Sequence, residues 1–209
     1  MLTHGDAQLP ELTPGRVLDT WIVDPVLAVS LLVAACLYLA GVRQLRRRGI
    51  PWSRARTALW MCGLGVIFIG TSSSVGAYDT TLFTMHAVQH MLLQMLAPIP
   101  LALAAPITLA LRALPRPQRS VLLRVLHSAP SRVITHPLSA YAVFTVSPFA
   151  LYYSPLYEAT LRSDVLHDLG HLHLILTGFL LFSVLLGLDP LPHRMPYVLR
   201  LMMIIGLGP

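Results

Sequence analysis

The amino-acid sequence predicts an all-α fold, a polytopic bundle of transmembrane helices. Hydrophobic residues make up 55% of the chain and charged residues only 11%, whereas a soluble domain carries roughly 25% charged residues. The mean hydropathy is +0.67. Several apolar segments also approach the length of about 20 residues that a helix needs to cross a bilayer. Together these observations indicate a chain built for a lipid environment.

The chain divides into a polar lead-in over residues 1–24 and a transmembrane domain over residues 25–209. The lead-in lacks the basic start and apolar core of a cleaved signal peptide. Five segments of the domain are predicted as full spans: 25–42, 57–77, 85–111, 138–156 and 166–187. A sixth apolar segment begins near Pro196, and the chain stops at Pro209. We therefore expect a truncated sixth span and a longer parent protein.

The distribution of arginine predicts how the spans are oriented. Residues 43–56 contain six Arg and residues 112–132 contain five, with no acidic residue in either stretch. Connections on the other side, such as 157–168, carry acidic residues instead. Because positively charged loops stay in the cytoplasm, we expect an extracytoplasmic N-terminus in a multi-pass protein of the bacterial plasma (inner) membrane. Orientation in a lipid bilayer thus explains the net charge of +6 without a nucleic-acid partner.

Prolines and glutamines inside the spans predict irregular helices that are joined by polar contacts. The third span contains three prolines that should bend or break it: Pro98, Pro100 and Pro106. Pro148 should kink the fourth span in the same way, because proline removes a backbone hydrogen bond. Gln89 and Gln94 are interpreted as donors of hydrogen bonds between helices.

Two histidine pairs are the strongest indication of function. His86 with His90 and His167 with His171 are each spaced i and i+4, which places both rings of a pair on one helical face. Polar side chains are costly in hydrocarbon, so histidines in spans are functional candidates. The predicted orientation puts both pairs at the outer ends of their spans. A shared extracytoplasmic binding site follows as a prediction.

The residue types at this site favour a metal, and copper in particular. Imidazole and thioether ligands suit copper, while imidazole alone also suits zinc, iron and nickel. The predicted ligands are His86, His90, His167 and His171, with Met85 and Met91 as further candidates. Nearby carboxylates could orient the imidazole rings by accepting hydrogen bonds: Asp79, Glu158, Asp164 and Asp168.

Other functions stay open at this level. The main alternative is a membrane redox protein that binds haem b through axial histidines from the third and fifth spans. Two haems would require ligands at two depths, whereas both pairs lie at one predicted depth. A permease is disfavoured because no acidic residue lies deep within a predicted span. A structural scaffold whose histidines bind nothing is the remaining interpretation.

Several motifs resemble a known family over roughly residues 57–209. The segment 85–93 reads MHAVQHMLL and 105–109 reads APITL. Further matching motifs follow in the same order: His136-Pro137, Leu156-Tyr157-Glu158, Leu166-His167-Asp168-Leu169-Gly170-His171 and Asp189-Pro190. This pattern resembles the caa-type cytochrome c oxidase assembly factors, the CtaG-like polytopic membrane proteins.

The resemblance implies a membrane protein that supports maturation of a haem–copper oxidase through copper delivery, without catalytic turnover of its own. It maps the family's histidine motifs onto the two histidine pairs. The implied partners are a haem–copper oxidase subunit and extracytoplasmic copper chaperones. Members of the family usually continue through further transmembrane helices, in agreement with the expected truncation.

Overall fold

A computed structural model describes residues 20–79, 81–193 and 195–206 of the chain. Regular structure within these ranges is helical, with no strand, and this confirms the all-α prediction. Most of the predicted lead-in, residues 1–19, lies outside the described residues. The helices up to the third span are α1 (Pro25–Arg47), α2 (Arg54–Ser72), α3 (Ser74–Ala77), α4 (Phe83–Met91), a π-helix (Leu92–Leu96), α5 (Pro98–Leu103) and α6 (Pro106–Ala113). The remaining helices are α7 (Arg116–Leu126), α8 (Ala129–Ile134), α9 (Pro137–Tyr152), α10 (Leu156–Arg162), α11 (Asp164–Leu186) and α12 (Tyr197–Gly206).

Four helical segments of the described chain are long and apolar enough to cross a membrane: Pro25–Arg47, Arg54–Ala77, Phe83–Ala113 and Val165–Leu186. They coincide with four of the five predicted full spans. The predicted span 138–156 is not among them, because α9 has 16 residues and therefore extends only about 24 Å. A turn at Tyr153 ends α9. Hydropathy averaged over a whole span did not reveal this turn, because the apolar residues of α9 outweigh the few turn residues 153–155.

α11 lies between the third span and α9. It packs against α5, the π-helix and α9, while α2 packs on α5 and α1 packs on α6. The contact with the π-helix is close at Gly178, where a Cβ atom would overlap the carbonyl of Gln94. Glycine at this position therefore lets two backbones meet, and this brings α11 against the third span along much of its length.

The third span is irregular at its prolines, as predicted. The π-helix immediately precedes Pro98, and the helix stops again at Ala105, which adopts a left-handed conformation with φ 50° before Pro106. The buried carboxylate of Asp189 accepts hydrogen bonds from the backbone N–H and the hydroxyl of Thr108, both at 2.7 Å. Asp189 thus caps the restarted helix α6, which connects the 105–109 and Asp189-Pro190 motifs physically.

Both glutamines donate hydrogen bonds between helices, as predicted. The Gln94 side chain donates to the Phe144 carbonyl at 2.9 Å, the acceptor that Pro148 leaves without its usual N–H donor four residues later. Gln89 donates to the Gly70 carbonyl at 3.1 Å, in the last turn of α2, where carbonyls lack intrahelical donors. Each glutamine therefore satisfies a carbonyl at an irregular point of a neighbouring helix.

Candidate metal centre

The structure brings the four predicted histidines into one cluster, which we call the histidine quartet: His86 and His90 on α4, His167 and His171 on α11. Ring centroids are 4.1 Å apart within the first pair and 4.3 Å within the second. Across the helices, His86 lies 6.1 Å from His167 and His90 lies 6.4 Å from His171. All four side chains are buried, with exposed fractions of 1 to 9%. The i, i+4 spacing aligns each pair, and packing of α11 on the third span brings the pairs together.

The buried carboxylate of Asp79 contacts His167 of the quartet. Asp79 follows α3 in the turn that leads to α4, and its Oδ2 lies 2.8 Å from His167 Nε2. Burial by itself would raise the pKa of the Asp79 carboxyl, but the hydrogen bond and the electrostatic interaction with His167 outweigh burial and hold the pKa below its usual value of 3.8. A carboxylate that accepts from an imidazole N–H fixes the orientation and tautomer of the ring.

The side-chain amide of Gln89 orients the ring of His171 in the same way. The Nε2 atom of His171 lies 2.9 Å from Gln89 Oε1, and the Gln89 amide nitrogen donates to Gly70. Because the amide oxygen can only accept, it takes the His171 Nε2–H. In the neutral ring this leaves Nδ1 with the free lone pair that a metal requires. Gln89 thus links the end of α2 to the quartet.

Tyr152 lies against the other pair. Its hydroxyl is 3.1 Å from His90 Nδ1, and its ring centroid lies 5.9 Å from His86 and 5.8 Å from His90. Sequence reasoning missed this residue. Tyr152 stands one helical turn after Pro148 at the end of α9, and no spacing pattern in the sequence connects it to the histidines.

Three side chains at this site, from the turn before α4 and from α11, could hold a metal ion. Asp79, His167 and His171 offer ligand atoms within 4.8 Å of one another. In the quartet, neighbouring ring centroids lie 4.1 to 6.4 Å apart. The identity of such an ion does not follow from the geometry.

The other residues predicted for the site are distributed differently. Met85 is half-buried, whereas the side chain of Met91 is 62% exposed and lies on a different face of α4 from the buried histidines. Glu158 and Asp168 have exposed side chains, and the side chain of Asp164 lies outside the described part of the chain. Among the carboxylates predicted to orient the rings, Asp79 forms a hydrogen bond with the quartet.

These features define a class: a multi-pass, all-α membrane protein with a buried carboxylate–histidine cluster near one end of its third span. Comparison with known families then makes the assignment specific. The chain belongs to the cytochrome c oxidase caa3 assembly factor family, whose model matches residues 36–209. This match confirms the family resemblance drawn from the motifs.

Relatives of similar sequence occur in mycobacteria. Uncharacterized proteins of Mycobacterium bovis and Mycobacterium tuberculosis are each 35% identical over 204 residues, and these alignments cover 94% of this chain and 31% of the relative. An uncharacterized protein of Mycobacterium leprae is 31% identical, with 93% of this chain and 30% of the relative covered. The chain thus spans less than a third of the length of these relatives. No solved structure matches it.

Proposed function

We propose that this chain supports assembly of a haem–copper cytochrome c oxidase by holding a copper ion at the histidine quartet and passing it to an oxidase subunit. The observation that carries the proposal is the convergence of four buried imidazoles from two helices, with Asp79 and Gln89 orienting two of them. Membership of an oxidase assembly family supports copper over other metals that imidazoles bind. The chain has no catalytic turnover in this role.

The ligand atoms of the quartet suit a cation that is bound and later released. Neutral imidazoles contribute lone pairs, and the negative charge of Asp79 offsets part of the cost of placing a cation in a buried site. Copper is the ion that is transferred, so no covalent bond of the protein forms or breaks. Release occurs by ligand exchange, in which incoming ligands of the oxidase subunit replace the imidazoles one at a time.

The predicted orientation gives the route of the copper ion. The Arg-rich loops predict that the quartet faces the extracytoplasmic side of the bacterial plasma membrane. Extracytoplasmic copper chaperones would then supply the ion, and an oxidase subunit in the same membrane would accept it. Asp79 and the quartet lie near the ends of their helical segments, so the exchange does not require copper to cross the bilayer.

Metal content of the detergent-purified protein tests the proposal. The wild-type chain, loaded with copper and desalted, should retain about one copper per chain, as a single four-ligand site predicts. A variant with His86, His90, His167 and His171 all changed to Ala should retain none. His173→Ala is the matched control, because His173 lies on the same helix but is exposed and contacts Ser147 at 2.8 Å instead.

Each other outcome of this experiment rejects the proposal. Equal copper in the wild type and the quadruple variant would place the metal elsewhere. An absorption band at Soret wavelengths that the quadruple substitution removes would identify axial haem ligands instead. Absence of both metal and haem after loading would leave a structural scaffold as the function.

A further inference from the structure

An apolar groove lies at the end of the bundle away from the histidine quartet. It has a volume of about 620 Å³ and runs between α1 and α6, with Trp60 of α2 at one side. Small side chains form much of its walls, including Ala34 and Gly41 of α1 and Ala110 of α6. Gly41 also allows the close approach of Leu109, which a Cβ atom would meet at 3.2 Å. Small side chains therefore leave an apolar groove where the two helices meet.

Arginines flank one end of the groove along the chain. Gln44 near the end of α1 and Pro115 after α6 both line it. At this end, the Arg48 guanidinium donates to the Arg112 carbonyl at 3.2 Å and joins the two helices. The six Arg of 43–56 and the five of 112–132 surround the junction in sequence, without an acidic residue in either stretch. Exposed arginines at a membrane interface attract anionic headgroups.

We propose that this groove binds one acyl chain of an anionic phospholipid, whose phosphate contacts Arg48 and Arg112. The apolar walls match the acyl chain, and the arginines match the headgroup, to which guanidinium groups can donate two hydrogen bonds at once. A zwitterionic lipid carries no net charge and satisfies only the apolar part of the site. This proposal is independent of the copper site, which lies at the other end of the third span.

Native mass spectrometry of the detergent-purified 209-residue chain tests this proposal. The protein is incubated with phosphatidylglycerol or phosphatidylcholine of identical acyl chains, and the bound lipid is counted. We expect preferential retention of phosphatidylglycerol. Replacing Arg48 and Arg112 by Gln should weaken it about fivefold for each arginine removed. Ala110→Phe should reduce binding of both lipids, because the larger side chain fills the groove.

Two controls distinguish a site from general attraction. Arg119→Gln with Arg124→Gln removes the same charge from α7 and should leave lipid retention unchanged. Inorganic phosphate should not displace the lipid, because it lacks an acyl chain. Equal retention of both lipids by the wild type, equal losses in the two arginine double variants, or displacement by inorganic phosphate would each overturn the proposal. The comparison of lipids on the wild type remains decisive even if a variant does not fold.

Discussion

Asp79 should affect metal affinity although it lies outside the quartet. Changing Asp79 to Asn removes the negative charge and weakens the hydrogen bond that orients His167. Loss of such a partner typically lowers metal affinity about 10- to 100-fold. Competition with a chelator of known affinity measures the change. Asp168→Asn is the matched control because its exposed carboxylate lies one residue after His167, and an equal loss in both variants would contradict the role given to Asp79.

Copper retention should also depend on pH. Protons compete with the metal for the imidazole nitrogens, so retention should fall as the pH is lowered. Asp79 adds to this fall only below pH 3.8, because its contact with His167 holds the pKa of the Asp79 carboxyl below that value. Because the pKa of Asp79 is lower in the folded than in the unfolded protein, ionised Asp79 stabilises the fold above about pH 3.8. This stabilisation is lost only as the pH falls through the pKa that Asp79 has in the folded protein. Copper retention that stayed constant until the protein unfolded in acid would contradict histidine ligation.

At the scale of single helices, the polar contacts of irregular segments should contribute measurably to stability. Gln94→Leu leaves the Phe144 carbonyl without a donor and should lower the free energy of unfolding by about 1 kcal/mol. Pro148→Ala restores an N–H four residues after Phe144, so the cost of Gln94→Leu should shrink in that background. Denaturant unfolding in detergent of the four proteins in this double-mutant cycle measures the coupling. Equal costs in both backgrounds would show that Gln94 acts through some other contact.

The elements differ in how far sequence alone could predict them. Hydropathy located four spans, because burial in lipid depends mainly on composition over about 20 residues. The same measure overestimated α9, whose end at Tyr152 depends on a local turn. Histidine spacing predicted each pair, since i, i+4 geometry is local to a helix. Tyr152 could not be assigned to the site, because its contact with His90 depends on where the end of α9 meets α4 in three dimensions.

Over the whole molecule, charge and ligand patterns together define two chemically different ends. The buried quartet with Asp79 lies near one end of the third span, and the lipid groove with its arginines lies near the other. The sequence could suggest this polarity because Arg-rich stretches and histidine pairs alternate along the chain. It could not show that α11 meets the third span closely enough to join the pairs, which depends on Gly178 packing against the carbonyl of Gln94.

The proposed route of copper depends on which side of the membrane the quartet faces. Cys36 and Cys62 are first changed to Ser, and single cysteines are then introduced by Leu82→Cys beside the quartet and Gln118→Cys in α7. Because Arg-rich loops stay in the cytoplasm, a membrane-impermeant maleimide applied to intact cells should label the cysteine at position 82 and not the one at 118. Permeabilised cells, in which both should react, provide the control. The reverse labelling would place the quartet on the cytoplasmic side, and copper would then have to come from the cytoplasm.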